Sequence, residues 1–137
     1  MMMILQKFRR DENGAAVIEM AFALPALIVL MWMIVQLGLV FRAMSGIQHG
    51  LGEGARTATI YSAKTQTERE TEIRNKVRAA VYGIGPGSFD IPPLVRGTQN
   101  GANYLDLKVT YSQQTDMLLF PGPRIDVSRS KRVWVSL

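Results

Sequence analysis

The pattern of hydrophobic and polar positions changes character three times along this chain. From Ala15 to Phe41 the residues are apolar on every face of a helix, with one acid at Glu19 and no further charge until Arg42. From Met20 to Val35 no polar residue occurs at all. These 27 residues would rise about 40 Å as a helix, against a hydrocarbon core of about 30 Å. A core helix of a soluble domain is short or amphipathic, and this stretch is neither. It predicts a transmembrane helix over 15–41. Beyond it the pattern becomes one-sided. Val40, Met44, Ile47, Leu51, Ala55 and Ala58 recur at spacings of three and four, so the helix is expected to continue into water as far as residue 61.

Gly46, Gly50 and Gly54 recur every four residues on this extension, with Gly52 between them. Each glycine costs about 1 kcal/mol relative to alanine inside a helix. Two readings stay open: a flexible joint, or a small-residue ridge that lets another helix approach closely. A second helix opens with a capping box, either Thr65–Glu68 or Thr67–Glu70. Ile73, Val77, Ala80 and Val81 form its apolar face, and Gly83 is a stop signal. Its charged side, Arg69 to Arg78, mixes signs and reads as solvated surface. Residues 83–103 carry Gly-Ile-Gly-Pro-Gly, Pro92-Pro93 and Asn100-Gly101, which predicts a long loop with a short strand around 88–91.

Strict alternation then begins. Leu105, Leu107, Val109 and Tyr111 share one side of a strand, and Asp106, Lys108 and Thr110 the other. Pro121-Gly122-Pro123 separates it from a second stretch, Arg124 to Leu137, where Ile125, Val127, Val133, Val135 and Leu137 alternate around a basic patch of Arg129, Lys131 and Arg132. An antiparallel pair covered on one face by helix follows. The fold class expected is α+β: a long N-terminal helix, a second helix, and a small antiparallel sheet of two to four strands. The basic patch carries no pattern of aromatics and glycines for stacking bases, so it reads as charge that protects an edge strand, and no nucleic-acid partner is expected.

Composition narrows the chemistry. The 137 residues contain no cysteine and one histidine, and the net charge is +5. Residues 42–137 suffice for one small domain. Disulfides and cysteine-ligated zinc are excluded, and a solvated basic surface is the default account of the charge. His49 and Glu53 stand four apart, too few ligands for a metal site. Gly50 to Ala55 matches G-x-G-x-x-A, but a dinucleotide motif needs a strand before it, and here an apolar helix precedes it. No catalytic constellation, metal, cofactor or small-molecule substrate is expected; the chain does not read as an enzyme.

The N-terminal residues 1–14 form a leader with Lys7, Arg9 and Arg10, which argues for a cytoplasmic N-terminus. A secretory signal peptide competes, with Ala43-Met44-Ser45 as its cleavage site, but its apolar core would be shorter. Glu19 is the residue that asks for an explanation. A carboxylate in the hydrocarbon region costs about 2–3 kcal/mol on insertion scales. It either reaches water at the interface or meets a cation. Were the chain cut after Gly14, the freed amine of Ala15 would be such a cation at the depth of a neighbouring copy's Glu19, offset by about 6 Å of helix rise. Pro25 removes one backbone bond inside the span, which membrane helices tolerate.

The basic leader, Gly14, four small or apolar residues, Glu19 and the long apolar run resemble the processing motif of type IV pilin-like proteins. More particularly, N-G-A-A-V-I-E-M-A-F-A-L-P, then Q-L-G-L-V-F, then G-E-G-A-R-T-A, resembles TadE-like proteins of the Tad (Flp-type) pilus assembly system. Gly14, Glu19, Pro25, Gly38 and Gly54-Ala55-Arg56 carry the resemblance, within residues 9–60. The chain departs from the family at Met20, where an aromatic is favoured, and at Gln36, where an acid is common. The resemblance implies a minor pilin-like subunit, or pseudopilin. It implies a leader over 1–14 removed by a prepilin peptidase between Gly14 and Ala15, a helix over 15–41 in the inner membrane, and a periplasmic pilin-like domain over 42–137. Helix packing through Pro25, Gly46, Gly50 and Gly54, and pairing through Glu19, would join it to other pilin-like subunits and the Tad secretion platform. The alternatives are an uncleaved single-pass assembly factor of the same system and a secreted binding module.

Overall fold

The computed structural model describes residues 12–60, 65–118 and 120–135. The leader through Asp11, the end of the extension at Tyr61, and Leu137 lie outside these residues. Contacts divide the chain into two units, 1–35 and 36–137. The first helix, α1 (Glu12–Ile60), supplies the whole described part of the first unit and enters the second. The second unit adds α2 (Gln66–Val81) and four strands: β1 (Ser88–Asp90), β2 (Val95–Gln99), β3 (Ala102–Asp116) and β4 (Pro121–Val135). The fold is α+β, with helix covering one face of a small antiparallel sheet.

β3 is the centre of that sheet. β4 pairs along almost its whole length, from Asn103↔Val135 to Asp116↔Pro121. The other edge of β3 is shared by β2, at Asn103↔Thr98 to Asp106↔Val95, and β1, at Thr110↔Asp90 to Ser112↔Ser88. Leu105, Leu107, Val109 and Tyr111 point to the helices and are buried, as the alternation requires. They pack with Ala43, Ile47, Leu51 and Ala58 of α1, Ile73, Val77 and Val81 of α2, and Ile91 and Val133. Each large side chain taken fully from water contributes about 1.5–3 kcal/mol, so this three-element cluster is the main favourable term for the domain.

The helix ends follow their local chemistry. α2 starts in the first of the two frames: the Thr65 amide donates to the Glu68 carboxylate at 3.2 Å, and the Thr65 hydroxyl does so at 2.7 Å. It ends where Gly83 adopts a left-handed conformation, φ 72°, which a side chain would oppose.

Three expectations are corrected. Residues 83–103 are not a loop with one short strand, because β2 forms a hairpin with β3. Its two-residue turn is Asn100-Gly101, with φ 52° and 78°, the left-handed pair that an I′ turn demands and that Asn-Gly supplies. Pro121 does not separate two strands but opens β4. Edge position permits it, and side-chain donors of β3 tie down carbonyls of this segment: Thr115 Oγ1 donates to Pro123 O at 2.7 Å, and Gln114 Nε2 donates to Gly122 O. The mixed-sign face of α2 is not wholly solvated. Arg69 is 6% exposed, and Arg74 reaches across to the carbonyl of Ile91 at 3.0 Å. Long aliphatic stems let such cations lie over apolar surface while their heads find oxygen.

The glycines of α1 lie where α2 and the sheet come closest. A methyl group at Gly54 would stand 2.6 Å from Val77 Cγ2 and 2.7 Å from Leu107 Cδ2. At Gly50 it would stand 3.0 Å from Val81 Cγ1, and at Gly46 2.7 Å from Ile84 Cδ1. Gly52 faces open space. Gly54→Ala is therefore expected to destabilise the domain by about 1–3 kcal/mol despite its helix-propensity gain. Gly52→Ala is expected to stabilise it by up to about 1 kcal/mol. Thermal melts of the two variants beside the parent chain test the contrast, and equal shifts would contradict this packing.

Candidate functional site

In the first unit every large apolar side chain of α1 from Val17 to Leu30 except Val29 is exposed, among them Ile18, Met20, Phe22, Leu24, Leu27 and Ile28. Among the described residues nothing covers a side of this segment, as expected of a helix whose solvent is lipid or other helices. Gly14 and Ala15 stand at the start of α1, both exposed, with open space around Gly14. Glu19 lies one turn beyond Ala15 and is exposed between Ile18 and Met20. Residues four apart share a helix face, so Ala15 and Glu19 lie on one stripe. Pro25 is inside the helix, which continues past it. Among the described residues one helix, α1, has the length and apolar composition to cross a membrane.

The second unit begins at Gln36, and a polar chain holds that end of it. The Gly87 amide donates to the Tyr111 hydroxyl at 3.1 Å. That hydroxyl donates to Gln113 Oε1 at 2.6 Å, and Gln113 Nε2 donates to Gln36 Oε1 at 3.0 Å. Tyr111 and Gln113 are buried, so each bond is made in surroundings where an unmade one costs the desolvation of the group. The inward face of β3 thus continues past Tyr111 through Gln113 and Thr115, both buried and both polar. The apolar alternation stops at Tyr111, which hides them in the sequence. The alternation of position does not, and that signal was available. Gln36 itself was noted only as a departure from an acid. An amide at 36 can accept from Gln113 while carrying no charge.

Gly46, Gly50 and Gly54 meet α2, Ile84 and Leu107 of their own chain, so in this unit the glycine face is already occupied. The G-x-G-x-x-A match at Gly50 lies in the middle of α1. His49 and Glu53 are one turn apart on the same helix, and among the described residues no three His, Cys, Asp or Glu side chains gather as for a metal ion.

On the solvent side of the sheet, Arg132 joins three groups. It donates to both Asp106 oxygens at 2.8 and 2.9 Å, and to Gln99 Oε1 at 3.0 Å. Its guanidinium carbon lies 3.9 Å from the centre of the Tyr104 ring, which meets Trp134 edge to face at 5.7 Å. A cavity of about 320 Å³ opens on the helix side, where Arg96 bridges β2 to Glu70 of α2. The hydrogen bonds from Arg132 hold the Asp106 carboxyl below its ordinary range.

Residues 14–56 match the family model of TadE-like proteins. No curated protein and no solved structure matches the chain. The match falls on α1, spanning the apolar segment and the glycine face, and stops before α2 and the sheet. Over those residues the chain is similar to TadE-like proteins, and the helix that carries the match has the length and apolar composition of a membrane anchor.

Two predictions follow from these contacts. Tyr111→Phe leaves the Gly87 amide and Gln113 Oε1 without their partner and is expected to cost about 1–3 kcal/mol, read as a lower melting temperature; an unchanged melt would show that water replaces the hydroxyl. Because the Asp106 carboxyl titrates lower in the folded chain, its pairing with Arg132 stabilises the fold above the unfolded carboxylate's pKa, and this is lost as pH falls through the lowered folded value. Asp106→Asn is accordingly expected to reduce the acid-side loss of melting temperature, with most of the change at low pH.

Proposed function

We propose that the chain is a minor pilin-like subunit, a pseudopilin, of Tad/Flp pilus biogenesis. Its leader is removed by a prepilin peptidase after Gly14, its helix remains in the inner membrane with the N-terminal side cytoplasmic, and the sheet domain stands in the periplasm. From there the mature subunit joins other pilin-like subunits or the assembly platform, and its role is structural rather than catalytic.

One observation carries this proposal. Glu19 is the lone charge on a segment whose apolar side chains its own chain leaves almost entirely uncovered, and it stands one turn from Ala15. Residues 15–41 hold no basic residue, and once the leader with Lys7, Arg9 and Arg10 is removed the base nearest to Glu19 in sequence is Arg42, more than six turns on. A carboxylate at that position gains most from a cation at the same depth on another molecule, and the amine of a processed Ala15 is one. It also lies near the N-terminal, positive end of its helix. The TadE-like match over this stretch supports the same reading. The glycine face, filled by α2, leaves the uncovered apolar segment as the surface through which α1 meets other subunits.

The intact mass of the chain recovered from membranes tests the processing step. A polypeptide beginning at Ala15 is expected. A full-length chain would instead make it an uncleaved assembly factor of the same system. Glu19→Ala is expected to insert normally and to reduce pilus formation, since it removes the proposed charge pair between molecules; undiminished piliation would remove this account of the acid.

A further inference from the structure

We propose that Asn100 is a site of covalent self-modification. Water converts its side-chain amide to a carboxylate through a succinimide formed with the Gly101 nitrogen, and the isoaspartate product releases β2 from the sheet. The site lies wholly within the 36–137 unit and depends neither on a membrane span nor on the pilus assignment.

The chemistry has fixed requirements. The main-chain nitrogen of the next residue gives its proton to water and attacks the asparagine side-chain carbon Cγ. A C–N bond forms, the bond from Cγ to the side-chain nitrogen breaks, and ammonia leaves. Water then opens the ring at either carbonyl. Opening at Cγ gives aspartate; opening at the main-chain carbonyl gives isoaspartate, in which the chain runs on through the side chain. In balance, one amide and one water become one carboxylic acid and one ammonia, with no change of oxidation state. The asparagine therefore needs access to water, a next nitrogen outside any hydrogen bond, no side chain beside that nitrogen, and a backbone able to turn.

The fold sorts the asparagines of this unit by those requirements. Asn75 lies inside α2, where the helix takes the next nitrogen, and its Oδ1 accepts from Arg78 at 3.4 Å. Asn103 lies in β3, followed by the bulky Tyr104 of the same paired strand, and its Oδ1 accepts from Thr98 Oγ1 at 2.9 Å. Asn100 differs on every count. With Gly101 it forms the exposed turn of the β2–β3 hairpin. Gln99↔Ala102 is the closing pair, so the Gly101 amide stands outside the ladder, and no hydrogen bond among the described residues takes it or the Asn100 side chain. Gly101 has open space around it. Attack requires rotation out of the left-handed pair, φ 52° and 78°, and an exposed loop tip opens at less cost than the strands it joins. The chain's other Asn-Gly pair, Asn13-Gly14, is held in α1.

The two products act differently on the sheet. Aspartate keeps the length of the turn and is itself favoured in it. Isoaspartate adds a carbon to the main chain of a loop whose two-residue length sets the register of β2. Besides its pairing with β3, β2 is held by Gln99, which accepts from Arg132, by the Tyr104 ring over Gly97, and by Arg96 on Glu70 of α2. All three contacts depend on that register. Without it the cavity beside α2 loses a wall, since Arg96, Gly97 and Thr98 line it. β1 and β4 pair with β3 on their own and keep their places.

The full chain in detergent, stored for weeks in mildly alkaline buffer, is mapped by peptide mass spectrometry with fragmentation that tells isoaspartate from aspartate. A gain of one mass unit at Asn100 is expected, mostly as isoaspartate, with Asn75 and Asn103 still amides and the melting temperature falling in step with isoaspartate content. Asn100→Gly keeps a turn-forming residue and removes the amide, so its melting temperature should hold over the same period. Freshly made Asn100→Asp should melt with the parent. Conversion of Asn75 or Asn103 as fast as Asn100 would overturn the site. So would an Asn100 that stays an amide in the folded chain while the chain in urea converts there. Isoaspartate accumulating with no change in melting temperature, or a low melt of Asn100→Asp, would overturn the release of β2.

Discussion

The distance between α1 and its neighbours is set by side chains that are not there. At Gly54 the space a methyl group would take is filled by Val77 and Leu107, one from α2 and one from β3. That single position ties the three elements of the core, and Gly50 and Gly46 extend the seam along the helix. The glycines oppose helix formation locally, and burial of Ile47, Ile73, Val77, Val109 and Tyr111 outweighs that cost. With the seam fixed, β3 lies antiparallel to α1. The polar chain through Tyr111 and Gln113 then reaches Gln36, at the boundary between the uncovered helix and the covered one.

One helix thus meets two environments in succession. Up to Val35 its side chains are apolar almost throughout, and its own chain covers almost none of them; from Gln36 it is one-sided, with Val40, Ala43 and Ile47 turned to the core. Hydropathy runs the apolar stretch on to Phe41, and within it the first side chain taken into the core of the second unit is Val40. Val40 is buried against its own domain, and Phe41 is exposed.

What was legible in the sequence was periodic. The one-sided stripe of α1, the capping box of α2 and the alternation of β3 each appear in the structure, because each follows from a repeat that one segment displays by itself. What escaped depended on partners distant in sequence. β2 is short and carries a glycine at 97, opposite Tyr104, whose ring fills the space a side chain would need, so its alternation is faint until the Asn-Gly turn is given its weight. Arg69 looked like its charged neighbours because nothing in a mixed-sign helix face says which cation turns inward. The buried amide of Gln113 was invisible for the complementary reason: a polar residue on an apolar face reads as the end of a strand until its partners, 2 and 77 residues away, are known. Glu19 is different in kind. No contact among the described residues accounts for it, and the sequence pattern marks it only as a charge in an apolar run.

β4 is the long free edge of the sheet, and it carries Arg129 and Lys131 opposite Val109 and Leu107, on the side that faces the helices. Both are exposed, beyond the reach of the helical cover. Another strand laid along that edge would trap two ammonium-like charges against its own inward residues. Pairing of another chain along β4 is thereby disfavoured, and the sheet stays a property of one molecule.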